Sequence, residues 1–599
     1  MLSRIGDKLR DIDLGGYFPP VQWIRQYRRL DLVGDLSAGV IVAAVIVPQS
    51  MAYALLVGLP PQVGLYASIV PLILYGLLGT SRTLSVGPAA IVSLLVASAV
   101  GRVAPASDAE YFTLVLLLTF MVGCLQLVMG LARMGFLVNF LSHPVISGFT
   151  SAAAIVIVIS QLRHLLGVNP SGSVDTYYAL TNVIRYIGQV NLVTFGLALV
   201  SMIVLLYWKV LLPRHLRYVP MPRWQREGVA RLGPFVVVVA LTSVIWATGL
   251  HHRFGVDVVG LVPAGLPSLS VPRLDLSLLN ALLPAALLIS FVGFMESIAV
   301  AKALAIRRRQ RIDPNQELVA LGAANLGASF SSGFAVAGGL SRSLVNFNAG
   351  ANTGLASIIT ALLVGLTVLL LTPLLDLVPR LALAAIIVIG VVDLIDLATL
   401  RRVWRYSKAD GVALLITFGL TLAVSVEVGI AAGIATSLVL YLWRTSRPQI
   451  AIVGRVRDSE QFRNISRFQV STYPQILAVR VDESLYFANT RHLEETLLRM
   501  VSEQPDVKHL ILICSGINYI DASGLETLES LIDSFREGGV DFYLAEVKGP
   551  VLEQLRKVGF DARLGPDRIF VSTHLAIRAL SQGDQPEIRY DTIMNRRDI

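Results

Sequence analysis

Along this chain, uncharged apolar stretches recur at about the 20-residue length that a helix needs to cross bilayer hydrocarbon. Residues 36–81 hold no charge and are interrupted by Pro48, Pro60, Pro61 and Pro71, a pattern that predicts two helices. Further runs lie at 83–101, 111–132, 134–162, 186–208, 232–252, 276–295, 318–341 and 343–375. Shorter ones follow at 381–392, 411–426 and 428–443. The run 343–375 divides into one short and one full helix if Gly350 and Gly354 mark a break, which gives 14 membrane segments, some of them partial. From about residue 460 the period changes. Ile476 to Val481, His509 to Cys514 and Asp541 to Val547 read as strands, and Asp521-Ala522-Ser523-Gly524-Leu525 opens a helix running to about Phe535. Such alternation predicts an α/β domain with helices packed on a sheet.

Charge sharpens the division. Over the 599 residues only 15% are charged and 54% are hydrophobic, with mean hydropathy +0.66, whereas soluble domains carry roughly 25% charged residues. Residues 451–599 hold 18 Lys/Arg and 22 Asp/Glu, which leaves a net +13 on the first 450. The predicted domains are an N-terminal segment 1–35, a membrane domain 36–445, a linker 446–459, an α/β domain 460–585 and a tail 586–599. Basic clusters sit at Arg25, Arg28 and Arg29, then at Arg214, Arg217, Arg223 and Arg226. Two more follow, Arg307, Arg308, Arg309 and Arg311, then Arg401, Arg402, Arg405 and Lys408. Each precedes the first span or follows an even-numbered one, so the positive-inside rule puts both termini in the cytoplasm. The first apolar run follows about 35 charged and polar residues, so no cleavable signal is needed. A multi-pass inner (plasma) membrane protein is expected, and nucleic-acid binding is not. Cys124 and Cys514 are the only cysteines, too few for a disulfide framework or a Cys-rich metal site.

Two interruptions break the membrane pattern. Ser85-Val86-Gly87-Pro88 falls in the third span, where Pro88 suits the first turn of a late-starting helix. Gly338-Gly339-Leu340-Ser341-Arg342-Ser343 falls seven spans later. Transporters with inverted repeats carry such broken helices in corresponding positions, with half-helix N-termini aimed at substrate near the midplane. Two facing N-termini favour an anion. Arg342 is the sole charge between Glu317 and Asp376, and an intramembrane charge is functional by default, unless it snorkels to a headgroup or pairs structurally. Glu296 follows the uncharged run 276–295 and should lie near mid-helix, where a carboxyl can exchange a proton; the alternative is an ion pair with Lys302 or Arg342. Gln49 and Tyr53 lie one turn apart on one helix face, either lining a pocket or hydrogen-bonding between helices. Ser523 near its helix start could take a phosphate, while Asp521 or Ser523 could equally be a plain helix cap. No nucleophile–base pair, metal cluster or phosphate loop is evident, so neither an enzyme nor a cofactor is expected.

These residues stand in longer patterns. Val47-Pro48-Gln49-Ser50-Met51-Ala52-Tyr53-Ala54, Gly64-Leu65-Tyr66, Gly79-Thr80-Ser81-Arg82, Ser85-Val86-Gly87-Pro88, Asn315-Gln316-Glu317-Leu318 and Leu340-Ser341-Arg342-Ser343 together resemble the sulfate permease (SulP) anion-transporter family, related to the mammalian solute carrier anion exchangers. Asp521-Ala522-Ser523-Gly524 resembles the STAS domain shared with anti-sigma factor antagonists. The resemblance implies a polytopic all-α fold in a seven-plus-seven inverted repeat, like that of nucleobase transporters, plus a cytoplasmic STAS domain. It also implies a homodimer and elevator movement of a core against a gate. It puts the anion between the starts of helices three and ten. Gln49 and Tyr53 would line the pocket, Ala89 would start helix three, and Ser341 and Arg342 would start helix ten. Glu296 matches an acidic position on helix eight. Sodium-coupled bicarbonate members carry Asp there and a hydroxyl residue four positions later. Val300 stands at that later position here and cannot ligate a hard cation, which favours protons. Ser523 matches the phosphorylated serine of the soluble antagonists.

The expectation is a secondary active transporter that imports a small inorganic anion, sulfate first, by proton symport in a lipid bilayer. Dicarboxylate, bicarbonate or chloride/bicarbonate exchange remain open within that class, and an anion channel or a membrane-anchored STAS regulator outside it. A cytoplasmic partner of the STAS domain is also open.

Overall fold

A computed structural model describes residues 27–581 and 587–589 except 104, 141, 169–186, 221–225, 227–228, 261–264 and 458. Arg25, Arg223 and the last ten residues of the tail lie outside the described residues. The chain divides into two compact units, residues 1–436 and 437–599.

Among the described residues the first unit is helical apart from two short strands, β1 (Val86–Gly87) and β2 (Ala337–Gly338). Its α-helices of six residues or more are α1 (Arg29–Val57), α2 (Pro61–Tyr66), α3 (Val70–Leu78), α4 (Ala90–Val103), α5 (Asp108–Leu131), α6 (His143–Leu166), α7 (Leu192–Leu206) and α8 (Gly233–Thr248). After these come α9 (Leu276–Arg308), α10 (Pro314–Phe330), α11 (Leu340–Asn348), α12 (Leu355–Leu370), α13 (Arg380–Val391), α14 (Leu397–Tyr406) and α15 (Lys408–Ala423). The unit boundary falls within α16 (Val426–Thr445). Among the described residues, eight helical stretches of 18 residues or more are apolar enough to cross a bilayer, and 90–103, 233–248 and 355–370 are shorter apolar helices. Helices suit such a sequence because each satisfies its own backbone polar groups where no water can. As the glycines suggested, α11 and α12 are separated by a break, at which Gly350 takes φ +99°, a conformation that an L side chain strains to adopt.

Small residues let the helices touch backbone to backbone. A methyl on Gly123 of α5 would sit 2.7 Å from the Leu326 nitrogen, and one on Gly322 of α10 would sit 2.6 Å from the Leu127 nitrogen. That close approach holds α5 against α10. Likewise, a methyl on Gly64 would overlap the Ser50 carbonyl oxygen, so α2 lies directly on α1.

Two buried carboxylates pin the turns between these helices. Glu317, fully buried, accepts hydrogen bonds from Tyr75 Oη (2.8 Å), Thr80 N (2.8 Å), Thr80 Oγ1 (2.6 Å) and Ser81 N (3.1 Å). Asp35, also fully buried, accepts from Asn352 N (2.6 Å), Thr353 N (3.0 Å) and Thr353 Oγ1 (2.6 Å), closing the break between α11 and α12. A buried charge persists when hydrogen bonds replace its water, and both groups meet that condition.

The second unit is an α/β domain around one sheet, whose strands among the described residues are β3 (Ile450–Arg455), β4 (Phe462–Asn464), β5 (Val470–Thr472), β6 (Ile476–Val481), β7 (His509–Ile513), β8 (Asp541–Ala545), β9 (Ile569–Phe570) and β10 (Glu587–Arg589). Their order across the sheet is β10-β5-β3-β6-β7-β8-β9, with β4 paired to β3. Strands β6 to β9 run parallel and β3 is antiparallel to β6. The apolar runs in β6, β7 and β8 are covered on both faces, as parallel strands require. The sheet begins at Ile450, within residues 446–459 that read as a linker from sequence.

Candidate functional site

The two sequence interruptions meet. Val86–Gly87 (β1) and Ala337–Gly338 (β2) form a two-residue antiparallel ladder, Val86 opposite Gly338 and Gly87 opposite Ala337. Each strand is followed almost at once by a helix, α4 after Pro88 and Ala89, α11 after Gly339. Both helix starts, with their unpaired N–H groups and partial positive charge, therefore lie at one short crossing. Cross-links hold it: Gly339 N donates to Ser85 O (3.2 Å), Ser85 N to Ser343 Oγ (2.9 Å) and Asn346 Nδ2 to Thr83 O (3.1 Å). Ser297 Oγ accepts from Gly338 N (2.8 Å), tying α9 to the same turn.

Arg342 lies at this crossing, 2% exposed. Its Nη1 donates to the carbonyl of Pro88, so a side chain of α11 reaches across to the entry of α4. Its Nε and Nη2 are buried and have no hydrogen-bond partner among the described residues. The glycines make room for it. A methyl on Gly339 would sit 2.9 Å from Nη2, and one on Gly87 would sit 3.5 Å from the guanidinium carbon. A guanidinium buried to this degree does not snorkel, and its one protein bond leaves most of its donor fork unused.

Glu296 sits on α9, one residue before the Ser297 that holds Gly338. Its Oε2 is buried without a hydrogen-bond partner among the described residues, and neither Lys302 nor Arg342 forms an ion pair with it. Tyr53, Glu296 and Arg342 nonetheless lie within electrostatic range of one another. Gln49 and Tyr53 on α1 are half-buried, and neither side chain hydrogen-bonds to another described residue, so interhelical bonding is not what employs them. Ala89 is 4% exposed and its carbonyl accepts from Ser93 N (2.8 Å) in the first turn of α4. Ser341 is different: it is exposed, on the turn beside buried Arg342.

The cluster combines a guanidinium with free donors, two helix starts and one carboxyl. Unpaired donors in a place of low dielectric fit an anion. No group of three or more metal-ligating side chains occurs among the described residues, and buried Val300 offers no oxygen beside Glu296.

Two polar residues here escaped the sequence reading. Ser93 Oγ and Asn346 Oδ1, like Ser85 Oγ in the first interruption, are buried without partners among the described residues. Asn346 had a readable signal, since it lies one turn after Arg342 on the same helix face. Ser93 stands in the same relation to Ala89.

In the second unit Asp521 is the cap of the helix Ala522–Glu537, accepting from Gly524 N (2.8 Å) and from Phe487 N (2.9 Å). Ser523 is half-buried in the first turn, and its hydroxyl bonds to no other described residue.

Comparison with known proteins agrees with this architecture. The pattern of the sulfate permease family matches residues 32–417, and that of the STAS domain matches residues 467–576. A probable sulfate transporter 4.2 of Arabidopsis thaliana is 35% identical over 94% of this chain and 83% of its own length. A probable sulfate transporter of Mycobacterium tuberculosis is 32% identical over 94% of this chain and 98% of its own. Among solved structures, murine Solute Carrier 26 family member A9, an anion transporter captured inward-facing, superposes with TM-score 0.86 at 25% identity, covering 97% of this chain and 98% of that one. The chain is a multi-pass membrane transporter, not an enzyme, and belongs to the sulfate permease family, with a STAS domain in its C-terminal unit.

Proposed function

We propose that this protein imports a small inorganic anion, sulfate first, by proton symport. The observation that carries the proposal is the buried Arg342 guanidinium, with Nε and Nη2 unpaired at the meeting of two helix starts. Sulfate is the preferred cargo because the Arabidopsis and Mycobacterium relatives are named for it. In this reading Arg342 and the starts of α4 (at Ala89) and α11 (at Ser341) supply the counter-charge, and Gln49 and Tyr53 complete the pocket. Glu296 carries the coupling proton. A protonated Glu296 travelling with a dianion lowers the electrical work of import, at about 2.3 kcal/mol per charge per 100 mV.

The reading includes 14 spans in two inverted sets of seven, elevator movement, a homodimer in the inner (plasma) membrane and both termini in the cytoplasm. Residues 36–445 would carry transport. Residues 460–585 would regulate it, with Ser523 as a phosphate acceptor. Support for the inverted repeat comes from the pairing of β1 with β2, since each is followed by a short helix at a matching place in its half of the chain.

The test is uptake of labelled sulfate, bicarbonate and fumarate by proteoliposomes, with and without an inward proton gradient. Sulfate accumulation that requires the gradient is expected. Current that persists without the gradient, with no counterflow of labelled substrate, would indicate a channel instead.

A further inference from the structure

The helix α14 is ten residues long, about 15 Å, and too short to cross a bilayer. It lies between two apolar helices, α13 and α15, and so marks one edge of the apolar layer. Asp396 caps it, accepting from Thr399 N (2.9 Å) and Thr399 Oγ1 (2.5 Å). One face is turned inward: Thr399 is buried, and Leu400 and Val403 are half-buried. The other face is basic. Arg401, Arg402 and Arg405 are exposed and have no ion pair or hydrogen bond among the described residues. Asp396, already used by the cap, is within electrostatic range of Arg402.

These three guanidinium groups do more than border water. Among the described residues, Ala398 and Tyr406 join them along one wall of an open concavity of about 680 Å³. Ala398 precedes Arg401 and Arg402 by one turn, so the small side chain and the guanidinium groups share one helix face. Tyr406 is 92% exposed. Trp404 lies across the α15 backbone, where a methyl on Gly411 would sit 2.5 Å from its ring. Tyr and Trp are enriched at membrane–water boundaries. Val412 and Leu415 present exposed apolar surface on α15, the helix packed against α14.

We propose that the hollow of α14 binds the headgroup of an anionic phospholipid, with its phosphate among Arg401, Arg402 and Arg405 and its chains along Val412 and Leu415. Guanidinium forks match phosphate oxygens, and an exposed rim alone would hold a free anion weakly in water. The adjoining apolar surface is what selects a lipid over inorganic phosphate. Orientation by positive charge requires only the number of arginines; a hollow lined by them on a helix packed against an apolar one is a more specific arrangement.

The experiment uses the full chain, purified with phosphatidylcholine and phosphatidylglycerol in equal amounts, and counts each lipid retained by native mass spectrometry. Wild type should keep phosphatidylglycerol in preference. The triple variant Arg401→Gln/Arg402→Gln/Arg405→Gln should lose that preference by about a hundredfold, at about 1 kcal/mol per arginine. The variant Arg307→Gln/Arg309→Gln/Arg311→Gln, with the same charge removed elsewhere, should keep it. Ala398→Leu fills the hollow without altering charge and should also lower retention. Equal loss in both triple variants, unchanged retention in Ala398→Leu, or displacement of the lipid by millimolar inorganic phosphate would each overturn the proposal.

Discussion

Arg342 donates to the carbonyl of Pro88, so the guanidinium of one broken helix is anchored on the entry of the other. Its place depends on the absence of a side chain at Gly339, where a methyl would sit 2.9 Å from Nη2 and 3.1 Å from Nε. Gly339→Ala should therefore displace the guanidinium while leaving its charge in place. Sulfate affinity is expected to fall about tenfold, ~1.4 kcal/mol, with no loss of folded protein on size-exclusion chromatography. Wild-type affinity in this variant would show that the guanidinium position is not set by that gap.

Glu296→Gln keeps the shape of the side chain and removes the proton it could carry. Uptake driven by an inward proton gradient should disappear, while exchange of labelled for unlabelled sulfate continues. If the variant retains the pH dependence of wild-type uptake, the proton travels elsewhere.

Glu317 serves structure. Its carboxylate meets four donors from Tyr75, Thr80 and Ser81, and an amide in its place would turn an NH2 group toward some of them. Glu317→Gln should destabilise the first unit by about 1–3 kcal/mol, read as a lower melting temperature in detergent. A melting temperature equal to wild type would contradict the assigned role.

Cys514 closes the strand His509–Ile513 and is buried, which, with the nearby charge of Glu546, pushes its thiol up to about 12. The folded thiol holds its proton more tightly than the unfolded one. It should therefore resist maleimide at pH 8, and its contribution to stability should fall only as pH rises above about 9 toward 12. Labelling of the Cys124→Ser variant at pH 8 should require denaturant; rapid labelling of the native protein would show that the site opens.

Much of this was readable beforehand because apolar length and backbone breaks are local signals. Ile476–Val481 is a strand as its β-branched run predicts, and the breaks at Ser85–Pro88 and Gly338–Ser343 fall where the helices start late. Non-local relations were not readable. Nothing in the sequence announces that Val86 pairs with Gly338, that Glu317 receives Thr80 and Ser81, or that Asp35 closes the turn at Asn352 and Thr353. Ser341 and Arg342 are adjacent in sequence, but neighbours on a helix point about 100° apart, so one is exposed and the other buried. The strand Ile450–Arg455 went unseen because its apolar residues follow closely on those of the last long helix and pair with strands later in the chain.

The central claim is that the Arg342 guanidinium, flanked by the starts of α4 and α11, holds the transported anion. Equilibrium binding of radiolabelled sulfate to the purified full-length protein tests it most directly, comparing wild type with Arg342→Ala. The account predicts saturable binding by wild type and an affinity lower by about tenfold or more in the variant. Equal affinity in the two proteins would contradict it.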